Sequence, residues 1–152
     1  MGFCARLQLA IARELAQRMP RVIGEHRLQT LWGYKYDSSH GGIGAHADVA
    51  AINVNFWITP DEANCDPESG GIVVYDHDAP RDWSFQRFNL DHDAIHRYLE
   101  SVGGRALRVP YRANRAVIFD SDLFHETDVL RFREGYVNRR INVTMLYGTR
   151  AG

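Results

Sequence analysis

The sequence predicts a mainly-β domain with flanking helices, arranged as an antiparallel sandwich or barrel. Three observations carry this. Short runs of β-branched and aromatic residues recur between turn clusters from Leu28 to Tyr147. Helical periodicity is confined to the first twenty residues and to a segment around residue 95. No repeat or low-complexity linker divides the chain, and 152 residues suit one domain, taken as 1–152.

The elements follow in order. Leu7, Ile11, Leu15 and Ala16 share one helical face, and Pro20 stops that helix, expected over 5–19. A β core of about 28–148 comes next. Leu28 to Tyr36 reads as a strand ended by Asp37-Ser38-Ser39. Gly41, Gly42 and Gly44 form a flexible connection, with a short strand expected over Ile43 to Asp48. Ala51 to Ile58 is a strand closed by Thr59-Pro60-Asp61. Gly70-Gly71 opens another, Ile72 to Tyr75, and Asp76 to Leu90 reads as loop. Ile95, Leu99 and Val102 mark a helix over Asp91 to Val102, closed by Gly103-Gly104. Strands are then expected at Ala106 to Tyr111, Ala116 to Asp120, and from about Tyr136 to Tyr147. Strand patterning does not choose among jelly-roll, immunoglobulin-like and other barrels.

Composition excludes several classes. Acidic residues number 19 and Lys plus Arg 18, a net charge of −1. Nucleic-acid binding by phosphate neutralisation needs a basic surplus, and so does an anionic membrane surface, so neither partner is expected. No apolar run approaches the ~18 residues of a membrane span. Arg6, Arg13 and Glu14 near the start do not read as a signal peptide. Two cysteines, Cys4 and Cys65, are too few for a disulfide scaffold, which fits a cytoplasmic setting. What stands out is the count of seven histidines.

Two of them sit where a metal ligand would. His46-Ala47-Asp48 places an imidazole and a carboxylate two residues apart, on one side of a strand. His125, in the stretch NRAVIFDSDLFHETDV, follows a strand and a turn. Two His and one Asp make the facial set that holds non-haem Fe(II) and leaves positions open. A lone His-x-Asp pair arises often by chance. Arg140, Asn142 and Thr144 alternate along the last strand and share a face. An inward Arg is costly unless it meets an anion, and its planar fork suits a carboxylate. Arg139 has the opposite parity, that of Ile141 and Val143; a one-residue bulge would exchange the two arginines. Asn53 and Asn55 share a strand face with Trp57. They line a pocket, or they satisfy local backbone or face water. His92 and His96 are four apart on the second helix, a spacing that reads better as a solvated face than as a metal site.

With these residues in hand, the chain resembles the Fe(II)- and 2-oxoglutarate-dependent dioxygenases, near their prolyl-hydroxylase-like and phytanoyl-type branches. The resemblance runs from about Leu28 to Gly148. It rests on His46, Asp48, His125 and Arg140 in the family's order, with Thr144 four residues after the Arg and Tyr36 ten before the first His. The stretches ESGGIVVYD and AVIFDSDLFHE resemble the family's Gly-Gly strand opening and the strand leading to the distal His. The resemblance implies a double-stranded β-helix, a cupin-like jelly roll. It implies Fe(II) on His46, Asp48 and His125, with 2-oxoglutarate and dioxygen as cosubstrates. Arg140, Thr144 and Tyr36 would hold the far carboxylate of 2-oxoglutarate, with Asn55 and Asn142 beside it. Related halogenases lack the carboxylate ligand, so Asp48 favours hydroxylation. The substrate, a small molecule or a peptide, is not legible; His40, His77 and Trp83 are candidates to meet it. Two other readings share the fold: a cupin-like metal protein without 2-oxoglutarate chemistry, and a non-catalytic binding module.

Overall fold

In the computed structural model, residues 6–36 and 41–150 are described. Helix α1 (Arg6–Arg18) leads into strand β1 (Leu28–Tyr36). Strands β2 (Ile52–Trp57) and β3 (Ile72–Asp78) follow, then helices α2 (Phe85–Asn89) and α3 (His92–Val102). Strands β4 (Ala106–Val109), β5 (Ala116–Asp120), β6 (Leu123–Thr127) and β7 (Arg140–Tyr147) complete the chain. All pairings are antiparallel. One sheet has the order β1-β7-β2-β5, the other β4-β3-β6. The fold is a cupin-like β-sandwich of mainly β structure, as the resemblance implied.

The four-stranded sheet is covered on both faces, because β7 alternates two kinds of side chain. Val143, Met145 and Tyr147 pack outward with Val54 of β2 against Ala12, Ile11 and Leu15 of α1. The Tyr147 hydroxyl donates to the Ala12 carbonyl at 3.2 Å, fixing helix to strand. The other face turns toward the second sheet and carries Arg140, Asn142 and Thr144. At one end the two sheets close on Trp57, Ile72, Val74, Tyr111 and Phe132. A third cluster, centred on Phe124, Ile95 and Leu99, seats α3 against the smaller sheet. That helix starts at Asp91, whose side chain accepts from the Ala94 N–H at 3.0 Å, and ends at Gly103 in the left-handed region.

Several boundaries move. Ile43 to Asp48 is no strand: only His46 pairs, in an isolated bridge to His125. Asp76 to Leu90 is not all loop, since β3 runs on to Asp78 and α2 follows. β4 ends at Val109, before Pro110, which has no N–H to donate to a ladder. His125 follows strand β5 and the turn at Ser121-Asp122, as expected, and lies within a further strand, β6, because the chain changes sheet at that turn. The Asp120 carboxylate takes the Asp122 N–H at 3.0 Å in that turn. Residues Tyr136–Asn138 form a 3-10 turn, and β7 starts only at Arg140. Among the described residues no helix is long and apolar enough to cross a membrane.

Candidate functional site

His46 and Asp48 lie on an extended segment running beside β6. The His46 and His125 backbones exchange both hydrogen bonds, at 2.9 and 2.8 Å. The Asp48 N–H donates to the Ser121 carbonyl at 3.0 Å. Between them Ala47 turns the other way and bonds to the Phe88 carbonyl of α2. The two-residue spacing therefore delivers both side chains to one side, although the segment forms no ladder. The imidazoles of His46 and His125 stand 4.3 Å apart, and Phe119 packs edge-on against His125.

Local hydrogen bonds settle which nitrogen of each ring is free. His46 Nδ1 lies 2.8 Å from the Gly44 carbonyl, and His125 Nδ1 2.9 Å from the Leu123 carbonyl. A carbonyl only accepts, so each Nδ1 carries a proton and each Nε2 is the nitrogen turned toward Asp48. Asp48 Oδ1 is 4.0 Å from His46 Nε2, and Oδ2 is 3.5 Å from His125 Nε2. The donor atoms of the three residues lie within 4.8 Å of one another, close enough to hold one metal ion. Burial, followed by the neighbouring His125, lowers the His46 pKa to about 4, which keeps the ring neutral as a ligand. Burial pushes Asp48 up, but hydrogen bonding and charge from His125, with His46 and Asn53, bring it below the ordinary carboxylate value.

The same cavity extends to Arg140. It encloses about 380 Å³ of empty space, its open mouth included, and both Arg140 and the His-Asp-His cluster line it. Arg140 is 2% exposed. Its Nε donates to the Gly70 carbonyl at 2.8 Å and Nη2 to the Gly71 carbonyl at 3.1 Å, while Nη1 is buried without a partner. No carboxylate meets it. Burial lowers its pKa to about 10, so it stays charged at neutral pH. Gly70 has φ +82°, a left-handed backbone that glycine adopts readily, and its carbonyl accepts the Arg140 Nε hydrogen bond. A Cβ on Gly71 would collide with the Val109 carbonyl. Arg139 has the other parity and lies over the Tyr136 ring. No bulge interrupts β7 here: Tyr36 stands opposite Arg140, and Asn55 opposite Thr144.

Tyr36, Asn55, Asn142 and Thr144 all line this cavity. Tyr36 sits 5.1 Å from the Arg140 guanidinium. Burial raises its pKa, although Arg140 and a hydrogen bond with Thr127 pull the other way, so its hydroxyl stays protonated. Asn142 Nδ2 donates to Thr144 Oγ1 at 2.9 Å, which leaves the threonine hydrogen free to donate onward. The Asn55 amide donates to Asn53 Oδ1 at 2.6 Å.

The substrate candidates fare differently. His40 lies outside the described residues. His77 pairs with Asp76 at 2.9 Å and is not in the cavity wall. Trp83 is not there either: it packs edge-on to Tyr98 and against Phe124, with Arg87 over its ring. The apolar cluster under α3 claims it. His96 lies 3.9 Å from Glu126, and His92 Nδ1 bonds to the Ala45 carbonyl at 2.8 Å; the two do not share a metal site. The cavity wall also includes Trp32, Tyr34, Asn53, Glu126 and Thr127. Period-two spacing from Tyr36 would have found Trp32 and Tyr34, and the same spacing from His125 would have found Thr127.

Solved structures share this fold. EvdMO1 aligns with a TM-score of 0.65 at 16% identity, over 97% of this chain and 33% of that one. HygX from Streptomyces hygroscopicus with iron bound aligns at 0.56 and 14% identity, over 94% of this chain and 67% of that one. Its apo form gives 0.55 and 14%, over 94% and 66%. The chain thus spans about a third of EvdMO1 and two thirds of HygX. No protein-family model matches the sequence. No curated protein matches it either.

Proposed function

We propose that the protein is a non-haem Fe(II) oxygenase that couples oxidation of 2-oxoglutarate to hydroxylation of a second substrate. The observation that carries this reading is the unpartnered Nη1 of buried Arg140, in the same cavity as His46, Asp48 and His125. A protein that only bound a metal would have no use for a buried cation that meets carbonyls and aromatic rings but no carboxylate. A dicarboxylic keto acid has use for both ends: keto and carboxylate oxygens for a metal, a far carboxylate for a guanidinium.

The residues present fit Fe(II). Two imidazoles, each presenting Nε2, and one carboxylate would occupy three positions and leave the others open. The iron bound in HygX, a protein of the same fold, supports iron as the ion. When bound, Fe(II) supplies the activation of dioxygen, with 2-oxoglutarate as the two-electron donor that becomes succinate and carbon dioxide. The protein's part is placement. Arg140 neutralises the far carboxylate, and the Tyr36 and Thr144 hydroxyls donate to it. Asn142 acts through Thr144 by occupying the lone pair that would otherwise compete. The second substrate, a small molecule or a peptide segment, reaches the metal through the cavity mouth.

The test is succinate formation from 2-oxoglutarate by the purified protein with Fe(II) and air, read by mass spectrometry. Wild type is expected to form succinate in an Fe(II)-dependent manner, and His46→Ala to form none. Absence of both metal-dependent succinate and calorimetric 2-oxoglutarate binding in the wild type overturns the proposal.

A further inference from the structure

The Asp48 carboxylate has a partner besides the two histidines. Asn53 Nδ2 donates to Asp48 Oδ2 at 2.7 Å. The orientation of that amide is not free, because Asn53 Oδ1 accepts from Asn55 Nδ2 at 2.6 Å. A flipped Asn53 would set its oxygen against a carboxylate oxygen and its NH₂ against the NH₂ of Asn55. Asn53 is 1% exposed and Asn55 6%, and both reach only the cavity, so each amide depends on the other and on Asp48 for its partners. Both residues sit on β2, two apart, and their strand is locked on both sides by β5 and β7. Two adjacent amides on a central strand are costly by β propensity, and strand formation gives no reason for them.

We propose that Asn53 is a positioning residue for Asp48, oriented in turn by Asn55, and that the pair fixes the rotation of the Asp48 carboxylate at the metal site. This rests on the metal site of the function proposed above, but not on 2-oxoglutarate. An Asp with one oxygen engaged by an oriented amide presents one fixed rotation of its carboxylate to the ion. Without Asn53 the carboxylate rotates, and the open positions that an oxygenase needs are no longer guarded. Asn55 therefore serves the metal end of the cavity, whatever it contributes to the cosubstrate.

The experiment measures Co(II) binding in the absence of 2-oxoglutarate, by competition with a chromophoric chelator and by the visible spectrum of the bound ion. Wild type, Asn53→Ala, Asn53→Asp, Asn55→Ala and the double Asn53→Ala/Asn55→Ala variant are compared, each with its thermal midpoint. Asn53→Ala is expected to weaken Co(II) about tenfold or more, the range for groups that orient a metal ligand, and to change the spectrum. Asn53→Asp, of the same shape but without the donor, is expected to weaken it further. Asn55→Ala gives a smaller loss, and the double variant binds no worse than Asn53→Ala, because Asn55 acts only through Asn53. Wild-type affinity and spectrum in folded Asn53→Ala and Asn53→Asp overturn the inference, as do additive losses in the double variant. Tight Co(II) binding by the wild type without 2-oxoglutarate turnover sinks the function and leaves this inference standing. Failure of the wild type to bind Co(II) sinks both.

Discussion

The two faces of β7 are equally buried and chemically opposite. On the outer face Val143, Met145 and Tyr147 are 2%, 0% and 2% exposed. On the inner face Arg140, Asn142 and Thr144 are 2%, 5% and 4% exposed. The outer face has one polar group, the Tyr147 hydroxyl, and α1 satisfies it. The inner face leaves Arg140 Nη1 and Asn142 Oδ1 without partners. A buried unsatisfied polar atom costs about 1–3 kcal/mol. The fold therefore gains stability on one side of this strand and gives some of it up on the other. The difference teaches where to look for function: on the face whose hydrogen bonds the protein itself leaves incomplete.

That contrast can be broken experimentally. The largest effect is expected from Arg140→Met, which keeps bulk and removes the charge. Its affinity for 2-oxoglutarate, measured by calorimetry, should fall about 100-fold, the usual scale for truncating one partner of a buried charge pair. Its thermal midpoint should change little, because removal of a buried cation offsets the loss of a donor to the Gly70 and Gly71 carbonyls. A large drop in the midpoint would show that Arg140 is structural. Met145→Ala, one residue type on the opposite face, should do the reverse. A loss of about 3 kcal/mol from the cavity is expected in urea unfolding, with 2-oxoglutarate affinity of the folded fraction unchanged.

A pH titration sharpens the comparison at the metal end. His46 titrates near 6.5 when unfolded and near 4 when folded. Between these values the unfolded chain binds a proton that the folded one refuses. The metal-free protein is therefore expected to lose stability as pH falls from about 6.5 to about 4, with no further loss from this residue below. His46→Gln should flatten that slope in thermal scans across the window. The smallest effect belongs to Arg139→Ala. Its guanidinium lies 5.8 Å from the Tyr136 ring centroid, off the inner face. Less than about 1 kcal/mol of stability and less than a twofold change in 2-oxoglutarate affinity are expected. A loss as large as that of Arg140→Met would mean that the wrong arginine has been assigned to the cavity.

The sequence alone determined the mainly-β class, both longer helices and the side of β7 that Arg140 takes, because these follow from local periodicity. Parity along one strand separates Arg140 from Arg139, and a two-residue spacing puts His46 and Asp48 together even where the strand itself fails to form. Only the tertiary structure decided what meets what. His125 faces His46 because β6 belongs to the other sheet, 79 positions along the chain. The Gly70 and Gly71 carbonyls reach Arg140 across 70 and 69 residues. Trp83, in sequence a candidate to meet the substrate, goes instead to Tyr98 and Phe124, because the apolar cluster under α3 packs there. Asn53 reads as a strand anomaly until its amide is seen on Asp48. Periodicity is set by neighbours along the chain, whereas such contacts depend on how two sheets close on each other, which only the summed packing of the whole core determines.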